Sequence, residues 1–141
     1  YREQIDRLYC KYAEAMKGSG KEIGIHAHNN LQLAFANTIE AIVLGSNRAD
    51  ATMAGLGRGA GNCPMELLLG FLRNPKFRLR PVIRLLQEQM PEIRRTVEWG
   101  PLVPYNITGQ MNLHPRAAIE FRAGENRADF VTFYDEIVND T

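Results

Sequence analysis

The chain has 141 residues, and its 17 Lys and Arg against 16 Asp and Glu leave a formal charge of +1. A content of 45% hydrophobic and 23% charged residues matches an ordinary globular domain and excludes long disorder. The near balance of charge gives no electrostatic footprint for nucleic acid or an anionic membrane, and no apolar run approaches the roughly 20 residues of a membrane helix. Two cysteines, Cys10 and Cys63, are too few for a disulfide framework, which points to a reducing, cytoplasmic setting.

Helical spacing of Ile5, Leu8, Tyr9, Tyr12 and Met16 predicts a first helix over Arg2–Lys17, closed by Gly18-Ser19-Gly20. Because the chain opens at Tyr1 already inside this pattern, the expectation is the later part of a longer protein. Glu22 to His28 reads as a short buried strand between Gly20 and Asn29-Asn30. The run Leu31 to Leu44 is too long for a strand and is expected to be a helix packed on a sheet, ended by Gly45. Arg48 to Met53 reads as a second strand, and Ala54 to Asn62, with four glycines, as a loop able to approach a ligand closely. A further helix should begin at Pro64 and end at Asn74-Pro75.

Strands alternating with helices at this spacing indicate parallel βα units. The tail differs: Pro75, Pro81, Pro91, Pro101, Pro104 and Pro115 interrupt it, with helices expected near Pro81–Gln89, Pro104–Asn112, Pro115–Arg122 and Ala128–Val138.

His26 and His28 are the first candidates for chemistry. Two apart on a strand, they share a face, about 6–7 Å apart, and can converge on one divalent metal. They sit at the strand's C-terminal end, where parallel α/β proteins place ligands. The bland alternative is a pair of strand histidines bonded to polar neighbours.

The glycine loop is the second element: its backbone amides can bind carboxylate or phosphate, and Asn62 offers a neutral oxygen to a hard cation. A plain flexible turn is the competing reading. Gly57-Arg58-Gly59-Ala60-Gly61 lacks the spacing of a dinucleotide fingerprint. Arg58 either meets a substrate carboxylate through two hydrogen bonds or faces solvent. His114 is read as a capping or surface group, Cys63 as a small buried residue at a helix start, and Trp99, Tyr105 and Tyr134 as packing anchors.

Three segments together, Gly24-Ile25-His26-Ala27-His28-Asn29-Asn30, Ala36-Asn37-Thr38 and Asp50 to Asn62, resemble the final βα units of the HMG-CoA lyase-like metal-dependent TIM barrels. The pattern spans Lys21 to Phe71, roughly a third of the chain, and is most similar to the 4-hydroxy-2-oxovalerate aldolase type, through Asn62, Cys63, Pro64 and Glu66. The resemblance implies an α/β fold: the C-terminal part of a (β/α)8 barrel over residues 1–75, in an aldolase or pyruvate carboxyltransferase-like domain, then a helical extension over residues 76–141. It implies His26, His28 and Asn62 as metal ligands, Gly57, Arg58 and Gly59 as substrate-binding, and Mn²⁺ or Mg²⁺, with Zn²⁺ as a third choice.

The implied reaction cleaves or forms a carbon–carbon bond of a 4-hydroxy-2-oxo acid through a pyruvate enolate. The acidic ligand, arginine and general base of the family's first strand have no counterpart here, so the chain by itself is expected to be inactive. Two alternatives stay open. One is an acyl-CoA condensation as in isopropylmalate and homocitrate synthases, whose loops usually carry Gly-x-Gly-Glu-Arg where this chain has Gly55-Leu56-Gly57-Arg58-Gly59. The other is a family relative that serves as an interaction module. A homo-oligomer and a dehydrogenase partner are further expectations from the family, and neither nucleic acid nor membrane is expected as a partner.

Overall fold

The structure, a computed structural model, describes residues 2–139. In chain order it comprises α1 (Arg2–Met16), β1 (Gly24–His26), α2 (Ala34–Leu44), β2 (Arg48–Asp50), a 3₁₀ turn (Met53–Gly55), α3 (Met65–Leu72), α4 (Leu79–Glu88), α5 (Met90–Thr96), α6 (Val103–Gln110), α7 (Arg116–Ala123) and α8 (Phe130–Asn139). The two strands pair in parallel, with Gly24 opposite Arg48, Ile25 opposite Ala49 and His26 opposite Asp50. Helix α2 is the crossover between them, so the α/β class and the parallel pairing expected from the sequence are what the chain forms. The strands are a sector of a (β/α)8 barrel, followed by a helical extension.

Side-chain alternation divides the two faces of this small sheet. Ile25, Ala27, Ala49 and Ala51 point to the helical side, where they join Ala34, Phe35, Ile39, Ile42, Cys63 and Leu68 in one apolar cluster. His26 and Asp50, one position out of phase with those residues, lie on the opposite face. Helix α2 stops where Gly45 turns left-handed (φ 112°), its N–H donating to the Ile42 carbonyl while Ser46 N–H donates to Ala41. That arrangement satisfies carbonyls the helix end would otherwise leave bare.

A second cluster gathers Tyr105, Ile107, Ala118, Phe133 and Ile137 from the tail helices. The Phe121 and Phe133 rings stack with centroids 4.5 Å apart. Ala60 of the glycine loop belongs to the same cluster, so the tail is built onto the loop.

Several boundaries differ from the sequence reading, each for a local reason. β1 ends at His26 rather than His28, because His28 leaves the parallel ladder to bridge Asn62 in antiparallel sense. β2 ends at Asp50 rather than Met53: Thr52 turns to pair with the next segment, its N–H donating to Cys63 O at 3.0 Å and its carbonyl accepting from Met65 N–H at 2.8 Å. α2 begins at Ala34 rather than Leu31, since Gln32 is left-handed (φ 58°) and Asn29 Oδ1 accepts from Ala34 N–H at 3.1 Å. α5 was not anticipated, because Pro91 reads as an interruption in sequence but occupies the first turn of a new helix, where a missing N–H costs nothing. Among the described residues, no helix is long and apolar enough to cross a membrane.

Candidate functional site

The C-terminal ends of β1 and β2 bring His26, His28, Asp50 and Asn62 into one neighbourhood. His26 and His28 are both exposed, and their rings lie edge to face with centroids 5.1 Å apart. The parallel register sets His26 beside Asp50, and His26 Nδ1 lies 3.0 Å from Asp50 Oδ2. The antiparallel bridge places Asn62 directly beside His28. Partial desolvation of an otherwise exposed ring, then the positive potentials of His26 and Arg58, hold the His28 imidazole below its ordinary pKa and favour the neutral ring. Arg58 is thus near enough to act on His28. It is exposed and makes no ion pair among the described residues.

The glycine loop is folded tightly around Asn62. Its Nδ2 donates to Leu56 O at 3.2 Å, which leaves Oδ1 as the end of the amide able to ligate. Gly57 lies beneath this amide; a Cβ there would stand 2.5 Å from Asn62 Nδ2. At Gly61 (φ 83°) a Cβ would overlap the Gly55 carbonyl oxygen, which accepts from Asn62 N–H at 3.0 Å. Both positions therefore need glycine if Asn62 is to sit where it does. Gly59 is buried against the tail, its α-carbon turned toward the Tyr105 ring.

The start of the loop is held from two sides. Ala54 is left-handed (φ 53°, ψ 22°) inside the 3₁₀ turn, a conformation non-glycine residues seldom adopt. Its N–H donates to Glu66 Oε2 at 3.0 Å, and its carbonyl accepts from the Trp99 indole Nε1–H at 2.9 Å. The residue is thus fixed by side chains 12 and 45 positions away. Cys63 is fully buried, and burial pushes its thiol pKa up; it is an inert packing residue, as expected. His114 caps α7, accepting from Arg116 N–H at 3.2 Å.

Sequence reasoning missed roles for Asp50 and Thr52, and it missed that Glu66 and Trp99 both bond to Ala54. Asp50 and Thr52 are two apart and share a strand face by alternation, and Thr52 Oγ1 is buried with no hydrogen-bond partner among the described residues. The signal for Asp50 is its place at the end of a predicted strand next to the histidine strand. Nothing local in the sequence signals the bonds that Glu66 and Trp99 make to Ala54, 12 and 45 positions away.

The donor set suits a divalent cation: two imidazoles sharing a strand end, one of them biased to its neutral form, and an amide oxygen whose nitrogen is already committed. Among the described residues, no group of three or more His, Cys, Asp or Glu side chains is placed to hold a metal. What the described residues bring together here is two imidazoles and an amide.

Comparison with known proteins follows the same lines. The HMGL-like family model matches residues 2–97. A 4-hydroxy-2-oxovalerate aldolase of Acidovorax sp. (strain JS42) is 55% identical over 70 residues, covering 50% of this chain and 20% of that protein. 4-Hydroxy-2-oxovalerate aldolase 2 of Dechloromonas aromatica (strain RCB) is 58% identical over 48 residues, 34% of this chain and 14% of the relative. An oxaloacetate decarboxylase of Mycobacterium tuberculosis (strain ATCC 25618 / H37Rv) is 48% identical over 64 residues, 45% of this chain and 19% of the relative.

The matched segments thus span a fifth or less of these relatives. Among solved structures, one described as an aldolase N-terminal domain from Bacteroides vulgatus superposes with a TM-score of 0.68 at 29% identity, covering 94% of this chain and 44% of that one.

Proposed function

The chain belongs to the HMGL-like family, and from that premise we propose that it supplies part of the site of a divalent-metal-dependent aldolase that cleaves or forms a carbon–carbon bond of a 4-hydroxy-2-oxo acid. The observation that carries this reading is the edge-to-face pair of His26 and His28 at the end of β1, with Asn62 bridged to His28 through the backbone. Support comes from relatives named as 4-hydroxy-2-oxovalerate aldolases at 55% and 58% identity over part of their length.

In this reading His26, His28 and Asn62 hold Mn²⁺ or Mg²⁺, with Zn²⁺ as the alternative. The cation supplies electrostatic stabilisation of the charge that develops on the keto oxygen as the bond breaks. His28, biased to its neutral form, keeps a lone pair free at working pH. Arg58 faces solvent within reach of His28's charge and is suited to take the substrate carboxylate by paired hydrogen bonds. Gly57 keeps the Asn62 amide seated, and Gly59 lets the loop close onto the tail. A general base that accepts the hydroxyl proton and an acidic ligand complete the site from outside these residues. Assembly with a dehydrogenase partner or a second copy, in the cytoplasm, belongs to the same proposal.

Pyruvate release from a panel of 4-hydroxy-2-oxo acids by the full-length protein, with Mn²⁺ and then with EDTA, tests it. Release that EDTA stops, and that His26→Ala or His28→Ala abolishes, is expected. The oxaloacetate decarboxylase relative favours a second substrate for the same chemistry, since loss of CO₂ from oxaloacetate also leaves pyruvate enolate. Oxaloacetate therefore belongs in the panel. Release from oxaloacetate alone would move the reading to decarboxylation; no release from any substrate, with Mn²⁺ still bound, would move it to acyl-CoA condensation.

A further inference from the structure

We propose that Asp50 is a positioning residue for His26, fixing which imidazole nitrogen faces the cation. The proposal rests on the metal reading above and names a residue that the histidine motif does not contain. Its basis is geometric. The parallel register puts Asp50 opposite His26, both side chains leave the sheet on the same face, and Nδ1 lies 3.0 Å from Oδ2.

A carboxylate can only accept at that distance, so the ring nitrogen facing it carries the proton. The Nδ1–H tautomer that results leaves the lone pair on Nε2, the far side of the ring from Asp50. Two consequences follow. Turning the ring over about χ2 is disfavoured, because it would break the bond and set a lone pair against a carboxylate. The imidazole also becomes a stronger donor through its hydrogen bond to a negative charge, as carboxylate-bonded histidine ligands do.

Among the described residues no carboxylate is bonded to His28, which has the His26 ring, Arg58 and the Asn62 bridge near it; a carboxylate therefore orients His26 and not His28. The register explains why this falls to His26: it is the last residue of β1 still in the parallel ladder, whereas His28 has left it. Asp50 is likewise the last ladder residue of β2.

Two readouts on the full-length protein test the proposal, neither of which needs turnover. The first is the His26 tautomer in the metal-free protein, read from ¹⁵N side-chain shifts above the imidazole pKa. The wild type should hold a single Nδ1–H form, and Asp50→Ala should relax to a mixture; the same tautomer populations in both proteins would overturn the proposal.

The second is Mn²⁺ affinity by electron paramagnetic resonance. Asp50→Ala should weaken it about 10–100-fold, while Asp50→Asn, which keeps an oxygen acceptor without the charge, should fall between that variant and the wild type. Asp50 is exposed, so both variants should melt with the wild type, and a melting curve checks this. If the wild type binds Mn²⁺ and Asp50→Ala binds it equally well, the positioning role fails alone. If the wild type and every variant fail to bind Mn²⁺, the metal reading fails and this inference falls with it.

Discussion

His26 and His28 stand exposed at the end of a three-residue strand, while the loop from Ala54 to Asn62, a few ångströms away, is tied down from several directions at once. On the histidine side the fixed contacts are one carboxylate and one backbone bridge. On the loop side, Ala54 is clamped at both its N–H and its carbonyl, Asn62 is bonded through side chain and backbone, Gly59 lies under Tyr105, and Ala60 is part of the tail core. The loop's strained backbone persists because neighbours over-determine it. The histidines need little such help, since strand alternation alone aims them. One half of the site is therefore placed by local geometry and the other by distant side chains.

If that contrast is right, the largest effect should come from the most distant clamp. Trp99 is 3% exposed, with Arg94 lying 4.2 Å above its ring. Trp99→Ala removes a buried aromatic and orphans the Ala54 carbonyl, and should cost about 3–5 kcal/mol in denaturant unfolding. Trp99→Phe keeps most of the apolar volume and loses the indole hydrogen bond, for about 1–2 kcal/mol. Equal midpoints for Trp99→Phe and wild type would show that the bond to Ala54 does not hold the loop.

Gly61→Ala attacks the loop from inside. A Cβ would overlap the Gly55 oxygen, and the φ of 83° is itself unfavourable for alanine, so a loss of about 1–3 kcal/mol is expected. Because Asn62 must move, Mn²⁺ affinity should fall beyond what the stability change explains. Unchanged affinity in a folded Gly61→Ala protein would separate Asn62 from the metal. Glu66→Ala leaves the Ala54 N–H without its charged acceptor and should cost about 1.5 kcal/mol, with Glu66→Gln recovering part. Faster amide exchange confined to residues 53–62 is the signature to look for. Faster exchange across the helices instead would make Glu66 a general stabiliser.

The same contrast explains what the sequence could and could not disclose. The order α1, β1, α2, β2, loop, α3 was legible because apolar period and punctuation by Gly and Asn are local. The shared face of His26 and His28 was legible because it follows from a period of two. The Asp50 contact was not, since it depends on a register between strands 24 residues apart. Nor was the Trp99 bond to Ala54, which joins residues 45 apart. Trp99 and Tyr105 read correctly as packing residues, but what they pack against is the glycine loop. Helix α5 escaped because Pro91 carries the same letter whether it breaks one helix or begins the next.

The smallest predicted effect lies in the tail. Glu98 takes a two-pronged bond from Arg122, 2.9 Å to Nε and 2.5 Å to Nη2. That bonding holds its carboxyl below the ordinary glutamate pKa, against a smaller opposing push from burial. Since the folded pKa is the lower one, the unfolded chain binds the proton more readily. The contribution to stability is therefore full above the unfolded glutamate value and is lost as pH falls through the folded one.

The Glu98 side chain is 42% exposed while Arg122 is 15% exposed, so solvent screens the pair and about 0.5 kcal/mol is expected from it at neutral pH. Glu98→Gln should lower the melting temperature slightly at pH 7, and the two curves should converge as pH falls through the lowered folded pKa of Glu98. If they stayed parallel to the acid limit, charge pairing would not be what joins α7 to the segment after α5. A separate consequence checks the loop: because Trp99 follows Glu98 directly, a Glu98→Gln protein that also showed faster exchange at residues 53–62 would make this ion pair part of the clamp on Ala54.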